Sequence, residues 1–243
     1  MRVNKKIIAD LANFIQMRYG ISIADYQEKY PDFYKSFLRM HYWMDEIVLE
    51  NYFGNNDKGW KQHDRWKTRK TGQKLLDKIS DIQDLSPEIP LKILDVGCGN
   101  NDWKQHLGAK LTGIDPFNSK ADFKISINDY YELQRTKLGL EQFDIILALG
   151  SINFGDHVEI EKQVWKVVQL LKPGGSIYWR FNPGITHANP QAQWIDFFPW
   201  SEDFIKELAT RLKCTVVEIS EDHEEKGSNN RLYSEWTKNI GFN

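Results

Sequence analysis

Residues 93–101, Ile93-Leu94-Asp95-Val96-Gly97-Cys98-Gly99-Asn100-Asn101, constrain the fold more than any other stretch. Three aliphatic residues around an acid, then two glycines one apart, predict a buried strand that ends in a sharp turn. Glycine suits such a turn because the backbone needs unusual dihedrals and a ligand must approach without a Cβ in the way. Asn101 follows, and asparagine enters the left-handed region more readily than other non-glycine residues. Beyond this turn strands and helices alternate, the pattern of a parallel sheet wrapped on both faces. Strands are expected at 91–96, 110–115, about 122–127, 143–149 and 176–181, then near 214–220 and 231–238, seven in all. Helices are expected at roughly 102–107, 157–171 and 201–212, with Lys172-Pro173-Gly174-Gly175 closing the second.

The stretch before the turn reads as helical. Ile7, Ile8, Leu11, Phe14 and Ile15 have helical spacing over 4–18, ended by Gly20. Tyr26, Tyr30, Phe33, Tyr34, Phe37, Tyr42, Trp43, Tyr52 and Phe53 then form an aromatic stripe, with Pro31 suited to the first turn of a new helix. Helix resumes around 60–83, where Leu75, Leu76, Ile79 and Ile82 share a face. Lys67, Lys70, Lys74 and Lys78 recur at three- and four-residue steps, with Trp60 and Trp66 nearby. This basic face over 58–78 is either solvated or a docking surface for an anionic substrate, nucleic acid included. Ser86-Pro87-Glu88-Ile89-Pro90 forbids regular structure across it and divides a helical extension, 1–86, from an α/β unit, 87–243.

Composition narrows the classes. A 243-residue chain with 41% hydrophobic and 27% charged residues is that of a soluble globular protein. A net charge of −2 argues neither for bulk affinity for nucleic acid nor against a local basic patch. Two cysteines, Cys98 and Cys214, do not make a disulfide framework, and a reducing, cytoplasmic setting follows. No secretion signal, membrane span or metal-ligand set is read.

Glycine turns after a first strand also occur in dinucleotide-binding enzymes. That pattern wants a small residue at position 102, where Asp102 stands, and a carboxylate there would repel a pyrophosphate. In its Asp95, Gly97 and Gly99, in Asp115 twenty positions on, and in the run from Phe143-Asp144 to Leu171-Lys172-Pro173-Gly174-Gly175, the chain resembles the class I S-adenosylmethionine-dependent methyltransferases. Asn101 stands where that family's third glycine falls. The resemblance implies a doubly wound, mostly parallel seven-stranded sheet and S-adenosylmethionine as methyl donor, with S-adenosylhomocysteine as product. It also implies roles. Gly97, Cys98 and Gly99 line the methionine end with backbone groups, and Asp95 holds the turn or meets the donor's amino group through water. Asp115 takes the ribose, Asp129 accepts from the adenine amino group, the Tyr130 amide meets the adenine ring, and Leu149 and Gly150 pass beside the methionine chain. Each has a plainer alternative: Asp95 and Asp115 as turn caps, Asp129 as a helix cap, Gly150 as a bend.

Methyl transfer is an in-line displacement at an activated carbon, so alignment supplies most of the acceleration and a base is needed only for an acceptor that loses a proton early. Candidate bases are Asp156, His157 and His187, with Arg180 and Asn182 as orienters and Asn153 as an acceptor contact. The segment after the fourth expected strand, Gly150-Ser151-Ile152-Asn153-Phe154, lacks the proline pair of amino-directed DNA enzymes. No nucleophilic cysteine of the cytosine-C5 type stands there either. The aromatic loop 182–200, with Trp194 and Phe197, is read as half of an acceptor pocket closed by the aromatic stripe, against the alternative of core packing. The acceptor expected is a small molecule or a defined, anionic macromolecular site. A non-catalytic donor-binding module, a nucleic-acid methyltransferase using the basic helix, and a nicotinamide oxidoreductase are the rivals.

Overall fold

Strand β1, Ile93–Val96, is buried at every position and sits between two parallel neighbours. On one side Leu111–Ile114 (β2) pairs with it from Ile93↔Leu111 to Val96↔Ile114. On the other Phe143–Leu149 (β3) pairs from Ile93↔Ile145. The sheet continues through Leu171–Phe181 (β4) to an antiparallel pair, Cys214–Asp222 (β5) and Arg231–Lys238 (β6), in the order β2-β1-β3-β4-β6-β5. The computed structural model describes residues 5–34, 67, 69–85, 87–183, 197–222 and 231–241.

Alternation along these strands feeds two cores. Leu94, Ile146, Trp179 and Trp236 point to one face, covered by helices Ile127–Leu133, His157–Leu170 and Glu202–Arg211. Ile93, Ile145, Leu147, Tyr178 and Tyr233 point to the other, where helix Gln73–Asp84 inserts Leu75 and Ile79. Numbered in chain order, the α-helices bounded within the described residues are α1 (Lys5–Tyr19), α2 (Ile23–Lys29), α3 (Gln73–Asp84), α4 (Lys104–Leu107), α5 (Ile127–Leu133), α6 (His157–Leu170) and α7 (Glu202–Arg211). Helices on both faces make the sheet doubly wound. The step from β1 to β2 runs one way and the step to β3 the other, so the carboxyl ends of β1 and β3 flank a topological switch point.

Three expectations change. The strand at 122–127 reduces to one bridge, Ile114↔Phe123, and six strands form the sheet among the described residues. The cause is Asp122: its carboxylate accepts the Gly113 amide at 2.8 Å, taking the donor a ladder would have used. The fourth strand of the chain order, β4, begins at Leu171 rather than 176, because Lys172-Pro173-Gly174-Gly175 bulges while the pairing with β3 resumes at Ile145↔Ser176. The positive helix face also changes. Lys70 precedes α3 and pairs with Glu218, and Lys78 pairs with Glu235, so both ammonium groups meet acids of the sheet. Trp60, Trp66 and most of the aromatic stripe lie outside the described residues. No helix among the described residues is long and apolar enough to cross a membrane.

Candidate functional site

The turn after β1 closes on itself. The amides of Gly97 and Cys98 both donate to the Ile114 carbonyl, at 2.8 and 3.0 Å, and the Gly99 amide donates to Asp115 Oδ2 at 3.0 Å. All three amides of the turn are therefore spent within the protein. Gly97, Gly99 and Asn101 all have positive φ, at 68°, 55° and 56°. The Asn101 side chain is held by the Lys120 carbonyl at 3.2 Å and Asp122 at 3.3 Å, which explains how a non-glycine residue sustains that conformation. The two glycines differ in surroundings. A Cβ at Gly97 would lie 2.3 Å from Ser151 Cβ, whereas one at Gly99 would meet nothing within 4 Å. Gly150, at φ 104°, is equally open. Gly99 and Gly150 therefore border free space on either side of the switch point.

Asp115 fastens this turn to the end of β2. Besides Gly99 it accepts from the amides of Phe117 and Asn118 through Oδ1, at 2.8 and 2.9 Å. A carboxylate has roughly four acceptor positions, so about one remains for a ribose hydroxyl rather than a matched pair. The turn is electronegative. Burial, reinforced by Asp95, Asp115 and Asp122, pushes the Cys98 thiol far above its usual range, which leaves it protonated and inert. Asp122 itself is held below the ordinary carboxylate range: burial opposes this, but the Gly113 amide, Lys104 and Asn101 outweigh it. A carboxylate with a depressed folded-state value stabilises the fold above its unfolded value and loses that contribution as pH falls. Thermal melts should therefore show stability declining below about pH 3.8, with a component on the order of 1 kcal/mol absent in Asp122→Asn. Identical pH profiles for the two proteins would refute the assignment.

The remaining candidates divide sharply. Asp129 sits in the first turn of α5 and accepts from the Ser126 hydroxyl at 2.5 Å, while Ser126 accepts the Asp129 amide. Ser126 is the helix cap, and Asp129, inside the first turn, bonds back to it rather than capping the helix itself. The Tyr130 amide is spent on the Ser126 carbonyl at 2.8 Å, so it is not a donor to adenine, and its ring lies in the core. Asp156 caps α6 by accepting the Glu159 amide at 3.0 Å. His157 opens that helix and meets Phe198 and Phe204 edge-on, at 4.8 and 5.2 Å between ring centres. His187 and Trp194 lie outside the described residues.

Asn153 and Asn182 are buried latches rather than exposed contacts. Asn153 Oδ1 accepts the Asn182 amide at 2.7 Å, and Asn153 Nδ2 donates to the Arg180 carbonyl at 3.3 Å. Arg180 donates through Nε to the fully buried Asp222 at 2.9 Å. The loop beyond β4 is mixed: Phe198 and Trp200 are core, as the packing alternative holds, while Phe197 pairs edge-on with Phe154 and both are half-buried.

Sequence reading misses Gly113, Phe154 and Asp222. A Cβ at Gly113 would strike Asn101 Oδ1 at 2.4 Å and Cys98 Sγ at 2.9 Å, so this strand glycine is the seat of the turn. A lone glycine inside a strand pattern is the available signal. Asp222 has none, since it ends a strand beside a charged turn and acquires its partners only through the fold.

No family model and no curated protein matches the sequence significantly. Solved structures match by shape. The 1,6-didemethyltoxoflavin-N1-methyltransferase of Burkholderia thailandensis, with bound 1,6-didemethyltoxoflavin and S-adenosylhomocysteine, gives a TM-score of 0.54 at 18% identity, over 81% of this chain and 89% of that one. The N-methyltransferase NodS of Bradyrhizobium japonicum, in complex with S-adenosylhomocysteine, gives 0.50 at 17% identity, over 78% and 96%. The chain has the class I methyltransferase fold.

Proposed function

We propose that this chain is an S-adenosylmethionine-dependent methyltransferase that holds its donor across the carboxyl ends of β1 and β3. The observation that carries the reading is the glycine turn, whose three amides are consumed internally and which is ringed by Asp95, Asp115 and Asp122. A pyrophosphate needs amide donors and a favourable helix dipole. Here it would meet spent amides, negative charge and a helix, α4, of four residues. A ligand with a sulfonium and an ammonium group meets the opposite, favourable field. The two similar structures, solved with S-adenosylhomocysteine, support the same reading.

Bound there, S-adenosylmethionine supplies a methyl carbon activated by its positive sulfur. Asp115 accepts a ribose hydroxyl with its remaining lone pair, and Gly99 and Gly150 admit the donor because neither carries a Cβ. Phe154 and Phe197, paired edge-on in the segments that follow β3 and β4, offer an apolar wall for the acceptor. Alignment and exclusion of water by these groups suffice for a displacement that uses no protein nucleophile. Of the expected extension, 1–86, α3 belongs with the donor-binding unit, because its Leu75 and Ile79 complete the core on one face of the sheet. The acceptor is a small molecule in a cytoplasmic setting.

Calorimetry with S-adenosylhomocysteine and with NADH tests the donor class. S-adenosylhomocysteine should bind and NADH should not. Asp115→Asn places an amide donor against three backbone donors, at a cost of about 1.5–3 kcal/mol, so its affinity should fall about tenfold to a hundredfold. NADH binding, or unchanged affinity in the variant, would sink the reading.

A further inference from the structure

The hydrogen bonds that the described residues make to the Asp115 carboxylate all come from backbone amides, and its two oxygens are loaded unequally. Oδ1 accepts two, from Phe117 at 2.8 Å and Asn118 at 2.9 Å. Oδ2 accepts one, from Gly99 at 3.0 Å. The local sequence explains the imbalance. Pro116 follows the acid and has no amide hydrogen of its own, so the next two amides fold back onto the side chain in a turn of the kind aspartate favours. A carboxylate oxygen has about two acceptor positions. Both on Oδ1 are filled, and one on Oδ2 is open.

The open position is on the oxygen nearer the crevice. The amide that occupies Oδ2 belongs to Gly99, where a Cβ would meet nothing within 4 Å, so Oδ2 is next to the residue that borders free space. Oδ1 serves the loop beyond β2 instead, where Asn118 is buried. The neighbouring polar groups supply no second open carboxylate. Asn118 Nδ2 donates to Asn100 Oδ1 at 3.0 Å, and Asn118 Oδ1 accepts the Lys120 amide at 2.9 Å. Asp122, the other acid beyond β2, is taken by Gly113, Asn101 and Lys104.

A ribose presents two adjacent hydroxyls. A carboxylate grips both when each of its oxygens accepts one, and Asp115 has a place on one oxygen alone. We infer that the donor site recognises its ribose through a single hydroxyl, held by Asp115 Oδ2, and tolerates the loss of the other. This rests on the methyltransferase reading and sets the selectivity of its donor site: a donor built on the deoxyribose that lacks the unread hydroxyl is also a ligand. A hydrogen bond to a charged acceptor is worth about tenfold to a hundredfold in affinity, so the two hydroxyls differ by that factor.

The test is calorimetry on the full chain with S-adenosylhomocysteine and with its 2′-deoxy and 3′-deoxy analogues. One analogue should bind at least about tenfold more weakly than S-adenosylhomocysteine and the other within about threefold of it. Whichever is weakened names the hydroxyl that is read. In Asp115→Asn the two analogues should bind alike, because the group that tells them apart is gone. Losses of about tenfold or more with both analogues would reveal a two-point grip, and full affinity with both would reveal none. Either result overturns the inference, leaves the donor class intact and needs only wild-type protein. A gap between the analogues that persists in Asp115→Asn would assign the selectivity to another residue and overturn it as well. If S-adenosylhomocysteine itself does not bind, the methyltransferase reading falls and the inference falls with it.

Discussion

Replacing Gly97 with alanine is expected to lower the melting temperature by several degrees and to remove measurable donor binding. The new Cβ would lie 2.3 Å from Ser151 Cβ, closer than real Cβ contacts come, and the residue holds φ at 68°. Left-handed strain costs about 1–2 kcal/mol and overpacking about 1–3 kcal/mol more. The turn must then move away from β3, at the point where the donor would bridge the two strands. Gly99→Ala separates the two effects. It has the same backbone sign but no atom within 4 Å of its would-be Cβ, so it bears the strain alone. Its methyl group enters the free space assigned to the donor. A fold within about 1–2 kcal/mol of wild type with donor affinity down at least tenfold is the expected outcome. Parallel melting curves and calorimetry would decide it. If Gly99→Ala binds S-adenosylhomocysteine normally, the donor does not lie against this turn.

The largest loss of stability is expected at Asp222. Its carboxylate, fully buried, accepts from the Lys70 amide at 3.1 Å, the Thr71 hydroxyl at 2.6 Å and Arg180 Nε at 2.9 Å. Alanine there would leave a guanidinium, an amide and a hydroxyl without that acceptor. Breaking a buried pair in this way costs about 3–5 kcal/mol. For a chain of this size that lowers the melting temperature by about 6–20 °C. The milder change Asp222→Asn keeps one acceptor oxygen and should fall between. Donor affinity should stay close to wild type, because β5 lies four strands from β1, roughly 19 Å across the sheet. A shift below about 2 °C would show that the network is not what ties residues 69–71 to the sheet.

These two positions mark the boundary between local and long-range information. Gly97 is legible because a turn leaves its signature in consecutive residues: aliphatic strand, acid, glycine, glycine. The same holds for β3, expected at 143–149 and found at Phe143–Leu149, and for α6, expected at 157–171 and found at His157–Leu170. Continuous apolar runs and helical periodicity survive in the fold because both faces of the sheet are buried. Asn101 is legible too, since its tolerance of positive φ is intrinsic to the residue.

Roles that depend on who stands opposite are not legible. The Tyr130 amide, expected to meet a ligand, belongs to Ser126, because the first turn of α5 begins earlier than the adjacent apolar pattern implies. The expected third strand dissolves because the Asp122 side chain captures a β2 amide, a competition between side chain and ladder that no periodicity records. The basic helix face looks open along one helix, yet Lys70 and Lys78 meet Glu218 and Glu235, which lie about 150 residues away in the chain. The sequence by itself determined the alternation of elements, the sharp turn after β1 and the acid character around it, because those follow from neighbours along the chain. Only the tertiary structure decided which amides were already spent and which acids were already paired, because hydrogen bonds and charges are settled by proximity across strands.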